Sequence, residues 1–195
     1  MMKCSLLIAG LYACSCPAAQ SQNLDINLLR TLNARNPACE TLTMQTSNSV
    51  YWAAPTITLG ALGYGLLHKD KNALRNGFES ALSVGISMAV SGGLKELVNR
   101  QRPDQAYPDV IRTYTYTDGK SFPSGHTTLA FATATSLALT YKKWYITVPA
   151  YAWAAGVGYS RMRLGRHYPS DVAAGALIGV GSAYLSHWVT GKLFR

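Results

Sequence analysis

The sequence predicts an all-α membrane protein, a helical bundle of about five transmembrane helices, and its composition supports that fold class. Charged residues make up only 14% of the 195 residues, against about 25% in a typical soluble domain. Hydrophobic residues make up 48%, and the charges cluster so that long stretches carry none. The length fits one domain, which we expect to occupy residues 22–195.

The charge balance predicts an anionic partner. The chain carries 18 lysine and arginine residues against 9 acidic ones, and its formal net charge is +9. Nucleic acid is not expected as the partner, because the sequence contains neither a recognition motif nor a dense basic run. Anionic lipid or phosphate is the partner that the composition favours.

Residues 1–21 have the pattern of a secretory signal peptide. Lys3 precedes an apolar run over residues 5–13, and small residues follow up to Ser21, after which we expect cleavage. The run is too short to cross a bilayer core of about 30 Å, although an uncleaved first helix stays open as an alternative. Cys39 would be the one cysteine left after cleavage, which excludes an internal disulfide and a cluster of thiolate metal ligands.

The rest of the chain reads as helices. Leucines at helical spacing over residues 23–35 predict a short amphipathic helix, which would lie on the membrane surface or pack as an arm on the fold. Five uncharged stretches then predict the transmembrane helices: residues 41–67, 80–94, 127–141, 144–160 and 172–191. Two of these fall short of the roughly 17 residues that a span needs. We expect their helices to include residues 76–79 and 124–126.

An exported N-terminus sets the orientation of this bundle. The first transmembrane helix would run inward, so that residues 95–124 and 161–171 form outward-facing loops. The positive-inside rule does not settle the orientation, because both sides are rich in lysine and arginine. The basic outer loops therefore need another explanation, and they contain every motif that carries chemistry.

The first motif is Lys95, followed seven residues later by Arg102 and then by Pro103. Seven residues make nearly two helical turns, so the two cations would share one face. Pro103 disfavours helix at the residue before it, and we expect the helix to end there with both cations at its outer mouth. Basic side chains also snorkel to an interface for structural reasons alone.

The second motif is Pro-Ser-Gly-His at residues 123–126, directly before an apolar helical run. Ser124 is typical of a helix N-cap, and Gly125 lets a ligand approach the backbone. Free N–H groups at a helix start bind phosphate oxygens. His126 would then give a proton to a leaving oxygen, although a lone histidine near a cap is often structural.

The third motif runs from Ser160 and Arg161 through His167 to Asp171. Pro169 fits the first turn of the last helix, where the helix dipole alone favours a carboxylate. The functional interpretation is a pair in which Asp171 fixes the tautomer of His167, so that the other ring nitrogen can attack phosphorus. Arg161 would offer a planar fork to phosphoryl oxygens.

Together the three motifs resemble the signature of the type 2 phosphatidic acid phosphatase superfamily. This superfamily includes lipid phosphate phosphatases, undecaprenyl pyrophosphate phosphatases, class A bacterial acid phosphatases and vanadium haloperoxidases. The resemblance spans residues 95–171, in the right order and with no signature residue missing. It implies a haloperoxidase-like helical core. Many membrane members have six transmembrane helices, whereas this sequence predicts five and a signal peptide.

The resemblance also implies a metal-independent phosphatase that uses no cofactor. His167 would be the nucleophile that forms a phosphohistidine, Asp171 would orient it, and His126 would be the general acid and base. The phosphoryl oxygens would be held by residues from all three motifs: Lys95, Arg102, Ser124, Gly125 and Arg161. The acidic residues near the motifs show no metal-ligand spacing.

The expected substrate is a lipid phosphate or pyrophosphate, such as undecaprenyl pyrophosphate, hydrolysed at the periplasmic face of a bacterial inner membrane. The tyrosine-rich residues 106–120 would line the entrance to the site. One alternative is a soluble periplasmic acid phosphatase for small phosphomonoesters, which would share every catalytic residue. Another is a non-catalytic membrane protein that binds anionic lipids. A haloperoxidase is disfavoured because the chain is short.

Overall fold

The computed structural model describes residues 16–33, 39–113 and 119–194, with side chains from residue 24 onward. Every regular element in these residues is a helix, which confirms the all-α prediction. In chain order the helices are α1 (Cys16–Leu32), α2 (Glu40–Asn48), α3 (Val50–Leu67), α4 (Lys71–Val98), α5 (Pro103–Ala106), α6 (Gly125–Tyr141), α7 (Trp144–Arg163) and α8 (Pro169–Leu193).

Three helical segments are long and apolar enough to cross a membrane: Glu40–Leu67, Lys71–Ala106 and Pro169–Leu193. The other two predicted spans are the helices α6 and α7. α6 has 17 residues, a length of about 26 Å, which is short of a hydrocarbon core of about 30 Å. α7 ends with two arginines in its last turn. The described structure thus supports three of the five predicted spans by length and composition.

The short uncharged stretch at residues 80–94 lies inside a much longer helix. α4 begins at Lys71 because the carboxylate of Asp70 accepts hydrogen bonds from the backbone N–H groups of Asn72 and Ala73, at 2.9 and 3.2 Å. The helix therefore gains its length at the N-terminal end, as the prediction required.

The first motif does not lie on one uninterrupted helix, so that part of the prediction is wrong. α4 ends at Val98 because Asn99 takes a left-handed backbone conformation, with a φ of 48° and its N–H bonded to the carbonyl of Lys95. Arg102 has an extended backbone, and Pro103 begins the short α5. Lys95 therefore reaches the site from a helix and Arg102 from the link after it.

α6 lies in the middle of the bundle, in contact with α3, α4, α7 and α8. Small side chains fill the core between these helices, including Ala130 and Ala134 of α6 and Ala154 of α7. The start of α6 approaches α8 very closely: a β-carbon at Gly175 would lie 2.8 Å from the carbonyl oxygen of Ser124. This approach places the first turn of α6 beside the first turns of α8.

The N-terminal helix α1 packs as an arm on the fold, which decides between the two alternatives for residues 23–35. Ile26 and Leu29 are buried against Ile111 and Tyr168, whereas Leu24 and Leu28 are exposed. Residues 1–15 of the predicted signal peptide lie outside the described residues. Cleavage near residue 21 therefore stays a prediction.

Candidate active site

The three motifs meet at one end of the bundle, although they lie far apart in the chain. The first and second are joined by Lys95, whose Nζ donates to the carbonyl oxygens of Lys120 and Pro123 at 3.1 and 2.9 Å. The second and third are joined by the backbone N–H of Ser124, which donates to the carbonyl of Asp171 at 3.1 Å. The structure therefore brings all the predicted site residues to one place.

The second motif begins α6, as the sequence predicts. Ser124 occupies the N-cap position, but its hydroxyl bonds the hydroxyl of Thr127 at 2.9 Å instead of capping a backbone N–H. The N–H groups of the first turn thus stay without a side-chain cap from Ser124. A helix start in this state is suited to binding an anion.

His126 lies at the edge of a cavity between α3, α4 and α6. Its ring meets the ring of Tyr51 edge-on, with centroids 4.9 Å apart. The cavity has a volume of about 270 Å³ and reaches Lys95 and Gly125. Its remaining walls are small or apolar for the most part: Val50, Ser87, Met88, Ser91, Gly92, Thr128 and Leu129. An apolar space therefore adjoins the motif residues directly.

His167 is almost fully buried and faces Asp171. Its Nδ1 lies 3.5 Å from Oδ2 of Asp171, which is an ion-pair distance but too long for a well-formed hydrogen bond. Burial lowers the pKa of His167 to about 3, and the guanidinium groups of Arg161 and Arg102 act in the same direction against the carboxylate. The imidazole is therefore neutral at physiological pH, the form that a nucleophile requires.

Asp171 is held by partners that the sequence did not reveal. Its Oδ1 accepts a hydrogen bond from Nη1 of Arg100 at 2.9 Å. Its Oδ2 accepts hydrogen bonds from the Ser121 hydroxyl and from the backbone N–H of Tyr168, the latter at 2.9 Å. Arg100 lies inside the first motif and Ser121 just before the second, but no spacing rule marks either of them.

The three cations of the motifs have a shared feature: in the described part of the chain none pairs directly with a carboxylate. Lys95 donates to carbonyls, and Arg102 donates to the carbonyls of Gly119 and Arg166 at 3.1 and 3.2 Å. Arg161 donates to the Ser47 hydroxyl at 2.8 Å. These contacts orient the cations without neutralising them, so the site is suited to an anion.

Arg161 has a buried donor atom that is suited to binding a ligand. Its Nε is buried and has no hydrogen-bond partner among the described residues. A buried unpaired donor is costly unless a ligand or water completes it. The predicted phosphoryl group would supply such an acceptor.

The predicted entrance and the absence of a metal site remain to be compared with the structure. Tyr114 and Tyr116 of the tyrosine-rich segment lie outside the described residues, and Tyr107 packs against the cluster of Ile26, Leu29, Ile111 and Tyr168. The predicted lining of the entrance thus stays a prediction. Among the described residues, no group of three or more histidine, cysteine or acidic side chains is arranged to hold a metal ion.

Comparison with known proteins finds relatives over part of the chain. Lipid A 1-phosphatase of Porphyromonas gingivalis is 36% identical over 121 residues, which cover 58% of this chain and 24% of that protein. The bacitracin transport permease protein BcrC of Bacillus licheniformis is 34% identical over 139 residues, covering 70% of this chain and 66% of that protein. The chain thus spans only part of the length of these curated relatives.

A solved structure extends the likeness over most of the fold. The crystal structure of Aquifex aeolicus LpxE is 27% identical with a TM-score of 0.69, covering 84% of this chain and 94% of that one. The model of the PAP2 superfamily matches residues 77–195, a range that contains all three motifs. Since that match takes in more than half of the chain, this protein belongs to the PAP2 superfamily.

Proposed function

We propose that this protein is a membrane phosphatase that removes a terminal phosphate from a lipid phosphate or pyrophosphate. One observation carries the proposal: a buried, neutral His167 faces Asp171 beside three cations that pair with no carboxylate among the described residues. A buried nucleophile among unpaired cations is suited to a phosphoryl group, because phosphoryl transfer depends on positioning and on charge stabilisation.

The reaction follows from these positions in two steps. With Nδ1 turned to Asp171, the lone pair of Nε2 of His167 attacks phosphorus, and the bond from phosphorus to the leaving oxygen breaks as His126 gives that oxygen a proton. In the second step His126 takes a proton from water, the water oxygen attacks phosphorus, and the phosphorus–nitrogen bond breaks. Phosphate leaves, and both histidines return to their starting state.

The three cations and the start of α6 would hold the non-bridging oxygens through both steps. Lys95, Arg102 and Arg161 each keep a fixed orientation through neutral acceptors. Ser124 and Gly125 offer the uncapped first turn of α6. Donors that are oriented in advance stabilise the developing charge without reorganisation.

A lipid is favoured over a small soluble ester by the exposed surface of the helices and by the cavity beside the site. Large apolar side chains are more than half exposed along the helices: Trp52, Leu66, Leu67, Leu97, Trp144 and Leu177. The apolar cavity beside Lys95 and His126 offers space for a hydrocarbon chain next to the phosphate. We therefore propose that the five helices α3, α4, α6, α7 and α8 cross the membrane with the site at the periplasmic face.

The names of the relatives support lipid-linked phosphates as substrates. They include lipid A phosphatases and an undecaprenyl-diphosphatase. The candidates are undecaprenyl pyrophosphate, lipid A phosphates, phosphatidylglycerol phosphate and phosphatidic acid, which share a terminal phosphate on an apolar anchor.

The test is phosphate release in detergent micelles with EDTA present, on each of these lipids and on a soluble aryl phosphate. We expect turnover of at least one lipid and a loss of about 10³-fold or more in His167→Ala. His68→Ala is the matched control, since His68 is exposed and contacts Tyr64 at the other end of α3.

Three results would contradict the proposal. Preference for the aryl phosphate, together with release from membranes by high salt, would indicate a soluble acid phosphatase. Activity that survives in His167→Ala would exclude the phosphohistidine. Activity that is lost with EDTA would exclude a metal-independent reaction.

A further inference from the structure

Arg100 lies between two carboxylates that come from opposite ends of the chain. Its Nη1 donates to Oδ1 of Asp171 and its Nη2 donates to Oδ2 of Asp25, both at 2.9 Å. The guanidinium also stands 3.8 Å above the ring centroid of Tyr168, a cation–π contact. The planar group is thus fixed at both edges and on one face.

Asp25 also contacts the start of the helix that carries Asp171. Its Oδ1 accepts a hydrogen bond from the backbone N–H of Ser170 at 3.0 Å, and its Oδ2 accepts one from the Ser170 hydroxyl. Ser170 is the second residue of α8, where backbone N–H groups lack partners within the helix and the dipole favours negative charge. Asp25 on α1 therefore caps α8 from outside.

Asp25 and Asp171 share the single positive charge of Arg100. Asp171 and Asp25 have side chains that are 0% and 9% exposed, so solvent screens their interactions weakly. Without Asp25, the guanidinium of Arg100 would be left to Asp171 alone. The carboxylate that faces His167 would then be drawn toward Arg100 and away from the ring.

The face of α1 that docks here is polar as well as apolar. Asp25, Leu29 and Asn33 follow one another at four-residue spacing, and all three are buried. Asn33 donates to the carbonyls of Arg112 and Arg163 at 3.0 and 2.9 Å, so it joins α1 to both outer segments of the site. An arm that served only to cover apolar surface would not need these two polar side chains.

From this network we infer that Asp25, acting through Arg100, is a positioning residue for the His167–Asp171 pair, so that helix α1 takes part in catalysis. The inference rests on the proposed function for its kinetic readout. Asp25 and Arg100 do not touch the phosphate. They fix the carboxylate that orients the nucleophile.

The test is a double-variant cycle in which kcat and KM are measured for Asp25→Asn, Arg100→Gln and the combined variant. Asp25→Asn keeps the shape and an acceptor for Ser170 but removes the charge. We expect kcat to fall about tenfold and KM to change by less than about twofold. The combined variant should lose no more than Arg100→Gln alone, because both changes interrupt one chain of contacts.

Two control variants on α1 separate positioning from packing. Arg30→Gln removes an exposed charge from the same helix and should keep kcat within about twofold of wild type. Leu29→Ala weakens the packing of the arm without touching the ion pairs, and it should lower the thermal midpoint more than kcat. Equal loss of kcat in Leu29→Ala and Asp25→Asn would overturn the inference.

A readout without turnover keeps this test separate from the proposed function. The ring signal of His167 in ¹³C-histidine NMR, identified with His167→Ala, should shift in Asp25→Asn and stay in place in Arg30→Gln. If wild type turns over no lipid, the proposed function fails while this signal still decides the positioning role. Should Asp25→Asn not fold, Asp25→Glu and Arg100→Lys displace the same charges and carry the same readouts. An unchanged signal with unchanged kcat refutes the inference.

Discussion

A buried carboxylate contacts a histidine at each end of the bundle. At the end that carries the three motifs, Nδ1 of His167 lies 3.5 Å from Asp171. About 24 Å further along α8, Nδ1 of His187 lies 2.8 Å from Oε1 of Glu79 on α4. Glu79 also accepts a hydrogen bond from the Thr190 hydroxyl at 3.0 Å. By distance alone, the His187–Glu79 pair is the better formed of the two.

The difference lies in the surroundings of each pair. The side chain of His187 is 37% exposed, whereas that of His167 is 2% exposed. The motif cations, which pair with no carboxylate in the described part of the chain, stand near His167, and the described contacts of Glu79 are with a histidine and with hydroxyl groups. The burial of the histidine and the nearby cations, not the distance to the carboxylate, therefore distinguish the candidate nucleophile. The His187–Glu79 pair is suited to joining α4 to α8.

The largest difference in kcat between the two ends of the bundle should come from His126, the second histidine of the site. His126→Ala should reduce kcat by about 10² to 10⁴-fold, because both steps lose their proton carrier. With an aryl phosphate, whose leaving group departs without a proton, the phosphohistidine should accumulate and can be trapped with ³²P. His187→Ala should leave kcat near wild type. Equal losses in the two variants would remove the distinction between the ends.

The cations should give the next largest effect. Arg161→Gln should lower kcat/KM by about 10² to 10³-fold, since one fixed donor to the transferring group is lost. Lys192→Gln is the matched control at the opposite end of the bundle, where Nζ of Lys192 stands 4.2 Å from the ring centroid of Trp188. Its activity should be unchanged. Phosphate release over a range of lipid concentrations gives kcat/KM for both variants. A small effect of Arg161→Gln would exclude Arg161 from phosphate binding.

Each of the two carboxylates accepts a hydrogen bond from one side-chain hydroxyl, and removing these hydroxyls compares the pairs more finely. Ser121→Ala removes the hydroxyl donor to Asp171 and should lower kcat about tenfold, the usual size for a group that orients a functional residue. Thr190→Ala removes the corresponding donor to Glu79 and should lower the thermal midpoint while kcat stays near wild type. Kinetics and thermal unfolding of both variants check this. A reversed pattern would mean that Glu79 is the functional carboxylate.

Sequence-based prediction succeeds where the local geometry of the chain decides the position of a residue. His167 and Asp171 are four residues apart around a helix start, and the Pro-Ser-Gly-His run must begin a helix. Both arrangements follow from backbone rules. The end of α4 is different: Pro103 predicts a helix that ends at Arg102, whereas α4 ends at Val98 because Asn99 takes a left-handed backbone conformation.

The residues that the sequence did not reveal act across elements. Arg100, Asp25 and Ser121 reach Asp171 from three different segments, and only the packing of α1, α4 and α8 brings them together. The sequence offered one signal for these residues, the aspartate at position 25. If α1 packs as an arm with this side chain buried, a cation must lie nearby. Which cation it is follows from the tertiary structure alone.

The smallest expected effect concerns the titration of His167, which tests whether burial and the nearby cations control this group. Since its pKa is lowered to about 3, the folded protein keeps this imidazole neutral from about pH 5 upward, and the nucleophile is not lost on the acid side until pH approaches that pKa. In ¹³C-histidine NMR its ring signal, identified with His167→Ala, should therefore not titrate between pH 5 and 8. Arg161→Gln removes a repelling charge and should move the midpoint upward. A midpoint near 6.5 in wild type would show that burial and the cations do not control this group, and the contrast between the two ends of the bundle would lose its physical basis.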